Sequence, residues 1–202
     1  MKNKSTKIDQ LRVLARRSGI LHARDLTPLN LPRRYLGILC AEGFIVRTGR
    51  GLYMLSGAPE TAHLGLAQVA KAIPKGVICL LSALRFHEIG TQAPHEVWVA
   101  LDRRAARPRA IFPKTRIMRF SGKALTEGIK EYVIAGVGVR IYCPAKTVAD
   151  CFKYRNKVGL DVVLEALREV TRKQICSADE LWKYAKVCRV AEVMRPYMEA
   201  IL

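Results

Sequence analysis

Apolar positions recur at helical spacing over residues 7–17, where Ile8, Leu11 and Leu14 or Ala15 would face inward. A short helix around residues 22–26 then runs into Thr27-Pro28-Leu29-Asn30, a cluster of turn-forming residues. Asn30 suits a helix N-cap, and Pro32 fits the first turn, where its missing N–H would have had no partner. Leu36 and Leu39 give the next helix an inward face, and Gly43 is a natural left-handed stop. Alternation follows: residues 44–48 read as a strand, Gly49-Arg50-Gly51 as a tight turn and residues 52–55 as the returning strand. Helix, turn, helix, glycine stop and basic hairpin, in that order, predict a winged helix-turn-helix over residues 1–57. A small αββ packing module is the plainer alternative.

The junction Ser56-Gly57-Ala58-Pro59 marks a boundary, with residues 58–202 forming a second domain. Residues 63–72 read as a helix ending before Pro74, and residues 82–89 as a helix stopped by Gly90. Residues 77–81 fit either a buried strand or the run-in to a helix. Strands are expected at 96–101 and 111–120, joined by an arginine-rich connection, and at 137–142 between Gly136 and Pro144. Helices are expected at 145–154, 160–171, 178–187 and 191–201. With strands grouped centrally and helices towards the end, the fold class is α+β: a winged helix-turn-helix followed by a mixed α+β domain with a helical tail. There is no internal repeat.

Charge sharpens this picture. The 202 residues carry 35 Lys and Arg against 17 Asp and Glu, a net charge of +18. Residues 1–57 contribute +8 and residues 101–123 contribute +7, so the excess is concentrated as a polyanion partner requires. Neither stretch joins its basic residues to a long apolar face, so nucleic acid fits better than a membrane surface. No apolar run approaches the ~20 residues that span a bilayer, and the basic start leads into an amphipathic helix rather than a signal-peptide core. The six cysteines are scattered, without a C-x-x-C pair, which suits buried thiols in a reducing cytoplasm.

With Leu36 and Leu39 inward, Arg33, Arg34 and Gly37 lie on the outer side of their helix. An Arg at the start of a recognition helix can fork onto guanine, and Gly37 leaves room for the backbone to approach a duplex. Arg47 and Arg50 flank the hairpin turn, where they could grip phosphates or enter the minor groove. Arg103, Arg104, Arg107 and Arg109, stiffened by Pro108, form a second basic patch. It could extend a DNA footprint or meet an acidic or RNA-bearing face, or it could be a solvated hairpin tip.

Catalytic signals are weak. Ser82, His87 and Asp150 can be assembled on paper, but no nucleophile-elbow glycines surround Ser82. Asp150 follows Lys146 by one helical turn, so an ion pair or a cap is the simpler account. The histidines lack ligand spacing, and Lys146-Thr147 has no glycine-rich loop before it. Asp102 is the only acid near the basic connection, which argues against a metal nuclease. No catalytic residue, metal or cofactor is expected.

The Leu36-x-x-Leu39-x-x-x-Gly43 spacing and the Gly51-Leu52-Tyr53 return resemble the AbiEi family of abortive-infection (type IV) antitoxins. Three later segments carry the same resemblance: Ser82-Ala83-Leu84-Arg85-Phe86-His87, Pro94-His95-Glu96-Val97-Trp98-Val99, and Cys143-Pro144-Ala145-Lys146-Thr147-Val148-Ala149-Asp150. The likeness spans nearly the whole chain in order. It implies a first domain that binds double-stranded operator DNA and represses its own operon, and a second that counters a nucleotidyltransferase-like toxin without needing a stable complex. Carried over by position, DNA-facing roles fall on Arg33, Arg34 and Tyr35, and on Arg47 and Arg50 of the wing; Arg24 is a further DNA-binding candidate. Two other readings stay open: a stand-alone regulator whose second domain senses a ligand or dimerises, and a nucleic-acid-processing enzyme.

Overall fold

A computed structural model describes residues 6–58, 63–108 and 112–201, and its elements make the chain a mixed α+β protein with two sheets. Two compact units divide it. Unit 1 is Met1–Pro74 with Pro108–Pro113 and Val133–Val139; unit 2 is Lys75–Arg107, Lys114–Tyr132 and Arg140–Leu202.

Unit 1 starts with helix α1 (Lys7–Ser18), capped by Thr6, whose side chain accepts from the Asp9 N–H while Asp9 reaches back. Leu11 and Ala15 are its buried positions. Strand β1 (Ile20–His22) and a 3-10 helix (Ala23–Leu26) follow. The expected short helix at 22–26 is therefore a tighter 3-10 turn. His22 caps it, accepting from the Arg24 N–H at 3.1 Å, while Asp25 accepts the His22 N–H at 2.9 Å.

Asn30 is not an N-cap. Its φ is +51°, and it closes the turn through its N–H to the Thr27 carbonyl at 3.1 Å. The chain then needs three more residues before helix α2 (Arg34–Ala41), whose N-cap, Arg33, makes no side-chain capping bond. Leu36 and Leu39 are buried as expected. Gly43, at φ +70°, ends the helix, and the Phe44 N–H closes it on the Leu39 carbonyl at 2.9 Å. Strands β2 (Ile45–Gly49) and β3 (Leu52–Leu55) form the hairpin. Both neighbours of β3 are antiparallel to it, in the order β1-β3-β2, with an irregularity between Arg47 and Gly49.

Helix α3 (Leu64–Ala72) belongs to unit 1, so the boundary expected near residue 57 falls inside this unit; Pro59 lies outside the described residues. The cause is packing. Lys71 pairs with Asp25 at 2.8 Å, Arg24 donates to the Lys71 carbonyl, and Gln68 reaches Met54 Sδ at 3.7 Å. Gly57, at φ +73°, bends the chain without ending the unit.

The strands of unit 2 belong to a five-stranded sheet, of whose last two strands residues 133–139 are counted with unit 1. Strand β4 (Val77–Ile78) leads into helix α4 (Leu80–Phe86), which settles the 77–81 ambiguity: strand first, then helix. Strands β5 (Val97–Asp102) and β6 (Thr115–Phe120) pair in parallel, from Val97 with Thr115 to Asp102 with Phe120. The arginine-rich connection is thus a crossover and not a hairpin tip, because parallel neighbours require the chain to return along the strand. Strand β6 begins at Thr115, and Ile111, where it was expected to start, lies outside the described residues. After the short helix α5 (Lys123–Thr126) comes strand β7 (Ile129–Ile134), which the hydropathy pattern did not announce, and then β8 (Val137–Tyr142). The sheet order is β6-β5-β4-β8-β7.

Helices α6 (Pro144–Lys153), α7 (Arg155–Val158), α8 (Leu160–Arg172), α9 (Ala178–Cys188) and α10 (Ala191–Ile201) complete unit 2. Helix α6 is buried from Ala145 to Phe152 and shares its core with α4, α8, α9 and α10. All six cysteines are free thiols. Among the described residues, no helix is long and apolar enough to cross a membrane.

Candidate nucleic-acid interface

Helix α2 orients its basic end through its apolar side. Leu36 and Leu39 are held in the unit 1 core, which leaves Arg33, Arg34, Gly37 and Ile38 exposed. Tyr35 lies half-buried against that core, and the Arg34 guanidinium sits 5.4 Å from the centre of its ring. Nothing stands within 4 Å of where a Gly37 side chain would begin.

On the hairpin, Arg47 is exposed and its Nε donates to the Gly49 carbonyl at 3.2 Å, across the strand irregularity. Arg50 is exposed at the turn, followed by Gly51 at φ +73°. The Gly51 carbonyl accepts the Ala23 N–H at 2.8 Å, which ties the turn to the 3-10 helix. That bond accounts for the convergence of distant positions. Arg24, Arg33 and Arg50 line one cleft of about 360 Å³, together with His22, Leu52 and Phe112.

Among the described residues, no carboxylate pairs with any of these three arginines. Asp25, the acid of the neighbouring turn, is engaged by Lys71. Burial, followed by the charge of Arg24 and then those of Lys71 and Arg33, holds the His22 imidazole below its ordinary pKa; Asp25 pulls the other way. His22 and Phe112 were not singled out from sequence. The His22-x-x-Asp25 spacing is a capping signal that could have flagged His22, whereas nothing in the local pattern marks Phe112.

Arg103, Arg104 and Arg107 of the second basic group belong to unit 2. All three are exposed at the start of the crossover, and Arg109 lies outside the described residues. Three bonds shape that turn: the Arg104 N–H donates to Asp102 Oδ1 at 2.7 Å, and Arg119 Nη1 donates to the Asp102 and Ala105 carbonyls at 2.9 and 2.8 Å.

Ser82, His87 and Asp150 do not form a catalytic set, since each is engaged elsewhere. Ser82 Oγ accepts the Trp98 N–H at 2.9 Å, and His87 Nε2 bonds the Tyr142 carbonyl at 2.8 Å. Asp150 Oδ2 takes the Lys146 ammonium at 2.5 Å, the i, i+4 pair expected from their spacing. Among the described residues, no group of three His, Cys, Asp or Glu side chains is placed to hold a metal ion.

No protein-family model matches the chain, and neither does any curated protein sequence. Among solved structures, the fold is similar to that of the RV2827C protein from Mycobacterium tuberculosis, with a TM-score of 0.64 over 95% of this chain and 77% of that one. At 14% identity, the likeness extends to the fold alone.

Proposed function

We propose that unit 1 is a winged helix-turn-helix that binds duplex DNA, and that the chain is the DNA-binding antitoxin and autorepressor of a type IV operon. The carrying observation is the exposed, carboxylate-free set of arginines at the start of α2 and at the turn of the β2–β3 hairpin. Supporting it are the element order of unit 1 and its β1-β3-β2 sheet, in which α2 immediately precedes the hairpin. Recognition helix and wing are neighbours in such a layout, so Arg33 and Arg34 face base edges while Arg47 and Arg50 face the backbone. The antitoxin role rests on the sequence resemblance in unit 2, and its partner is a nucleotidyltransferase-like toxin.

The test is a salt-resolved binding assay on the DNA upstream of the chain's own reading frame. Arg33→Ala or Arg34→Ala costs about 1–3 kcal/mol on the specific site when that arginine forks onto a guanine. Arg50→Ala weakens binding to every sequence and lowers the slope of log affinity against log salt by about 0.9. Undiminished binding by the Arg33→Ala/Arg34→Ala/Arg50→Ala variant overturns this docking face. The antitoxin half is tested separately, by expressing the chain from an unrelated promoter beside the adjacent toxin candidate. A chain that gives no protection there is a regulator alone.

A further inference from the structure

Gripping a duplex asks only for an exposed basic face, yet Arg24, Arg33 and Arg50 surround a concave space. At about 360 Å³ the cleft falls within the ~300–1,000 Å³ of typical small-ligand pockets. Its walls are otherwise largely apolar, including Leu52 and Ala72, and Phe112 at the edge is 59% exposed. Arg24, Arg33 and Arg50 line it, and among the described residues none of them pairs with a carboxylate; the one acid of the adjoining turn, Asp25, is taken by Lys71 at 2.8 Å, and the Arg24 guanidinium also donates to the Lys71 carbonyl. Like charges gathered in a cleft repel one another until an anion enters. A planar fork of N–H donors suits the oxygens of a phosphate in particular.

We propose that this cleft is a phosphate-binding site for a phosphorylated ligand of nucleotide size, with the arginines on the phosphate and the Phe112 ring open to a flat base. The same phosphate chemistry can come from a free nucleotide or from the backbone of bound DNA. Arg33 and Arg50 serve both this cleft and the DNA-facing set, so a free nucleotide and a duplex compete for them. The competition rests on the DNA-binding reading; occupation of the cleft by a free nucleotide does not.

His22 reports on the cleft from within its wall. Its Nδ1 accepts the Arg24 N–H, and the charged groups acting on its ring are Arg24, Arg33 and Lys71 on one side of the balance and Asp25 on the other. A bound phosphate offsets the three cations and so moves the His22 titration upward in pH. His63, His87 and His95 serve as references for anions collecting on a basic surface.

The experiment is an NMR titration of the histidine ring resonances in the full-length chain. The probes are inorganic phosphate, adenosine 5′-monophosphate and a short duplex, each against chloride at equal ionic strength. A saturable shift of His22 with phosphate or the nucleotide, with its midpoint raised and the other histidines still, supports the site with a free ligand. Arg33→Gln and Arg50→Gln then each weaken that response about tenfold, the loss expected for one charged hydrogen bond. A His22 response to duplex alone supports the site with DNA as the source of phosphate. No selective His22 response to any of the three overturns the proposal, as do four histidines moving together. The nucleotide arm contains no DNA, so its outcome is independent of operator binding. Operator binding with a silent His22 removes the cleft and leaves the DNA reading standing.

Discussion

Lys146 in unit 2 and Arg33 in unit 1 carry the same charge under opposite conditions. Lys146 is fully buried on α6, its ammonium 2.5 Å from Asp150 Oδ2 and 4.1 Å from the centre of the Tyr142 ring, with Phe120 at 5.1 Å. The second carboxylate oxygen is met by the Cys188 thiol, which donates to Asp150 Oδ1 at 3.2 Å. Arg33 is exposed and, among the described residues, pairs with no carboxylate. A buried charge without a counter-charge costs several kcal/mol, so the sheath around Lys146 follows from folding alone. An exposed arginine is solvated and needs nothing from the fold. Arg24 also holds α3 through the Lys71 carbonyl, whereas Arg33 and Arg50 on the same cleft are better explained by something outside the chain. The buried, paired Lys146 and the exposed, carboxylate-free Arg33 and Arg50 separate charge that serves the fold from charge available to a partner.

Breaking the closed set has the largest expected effect. Asp150→Asn leaves the Lys146 ammonium buried without its counter-charge and costs about 3–5 kcal/mol in denaturant unfolding. Replacing both residues, as Lys146→Met/Asp150→Leu, recovers most of that loss, because a well-packed apolar pair removes the need for compensation. Arg33→Ala, by contrast, changes stability by no more than about 0.5 kcal/mol, as for surface substitutions in general. A small loss from Asp150→Asn, comparable to that from Arg33→Ala, would erase the distinction.

A smaller disturbance reaches the same site from its backbone wall. Gly128, at φ +79°, lies so close to Lys146 that an added Cβ would stand 2.8 Å from Lys146 Cβ and Cγ, with Tyr184 Cε1 at 3.1 Å. Its carbonyl accepts the Cys143 N–H at 2.7 Å, just ahead of α6, so the contact cannot be relieved by moving Gly128 alone. Gly128→Ala combines an unfavourable backbone conformation with overpacking and costs about 1–3 kcal/mol. Thermal unfolding of this variant beside Gly37→Ala gives the comparison directly: a fall in Tm for the former only.

Elements that bury one regular face were legible in the sequence. Helix α10 spans the expected residues 191–201, and Leu36 and Leu39 correctly placed Arg33 and Arg34 on the outer side of α2. Strand β1 is too short for alternation to register. In β7 the burial does not alternate either, and Val133 is 81% exposed, so an apolar residue marks no inner face. The parallel pairing of β5 with β6 was hidden for a different reason: a strand's own periodicity says nothing about the direction of its neighbour. The i, i+4 spacing of Lys146 and Asp150 was readable, but its complete burial depends on aromatic side chains from β6 and β8. The cleft was the least legible feature, since His22, Arg50 and Phe112 come together only through tertiary structure.

The smallest expected effect concerns Gly37, where stability and DNA binding should move in opposite directions. A glycine inside a helix costs about 1 kcal/mol relative to alanine, because its backbone loses more freedom on folding. At most buried or left-handed positions the surrounding structure explains such a residue. Gly37 has neither reason: its helix is regular, and the space where a Cβ would stand is empty to 4 Å. On the fold alone, Gly37→Ala stabilises unit 1 by about 0.5–1 kcal/mol, seen as a raised midpoint in denaturant with unchanged slope. If α2 lies against a duplex, the added methyl stands between helix and DNA, and operator affinity falls while stability rises. Improved stability with unchanged affinity would mean that the outer side of α2 is not the docking face. The contacts would then have to come from the hairpin, and the charge that unit 1 offers to DNA would narrow to Arg47 and Arg50.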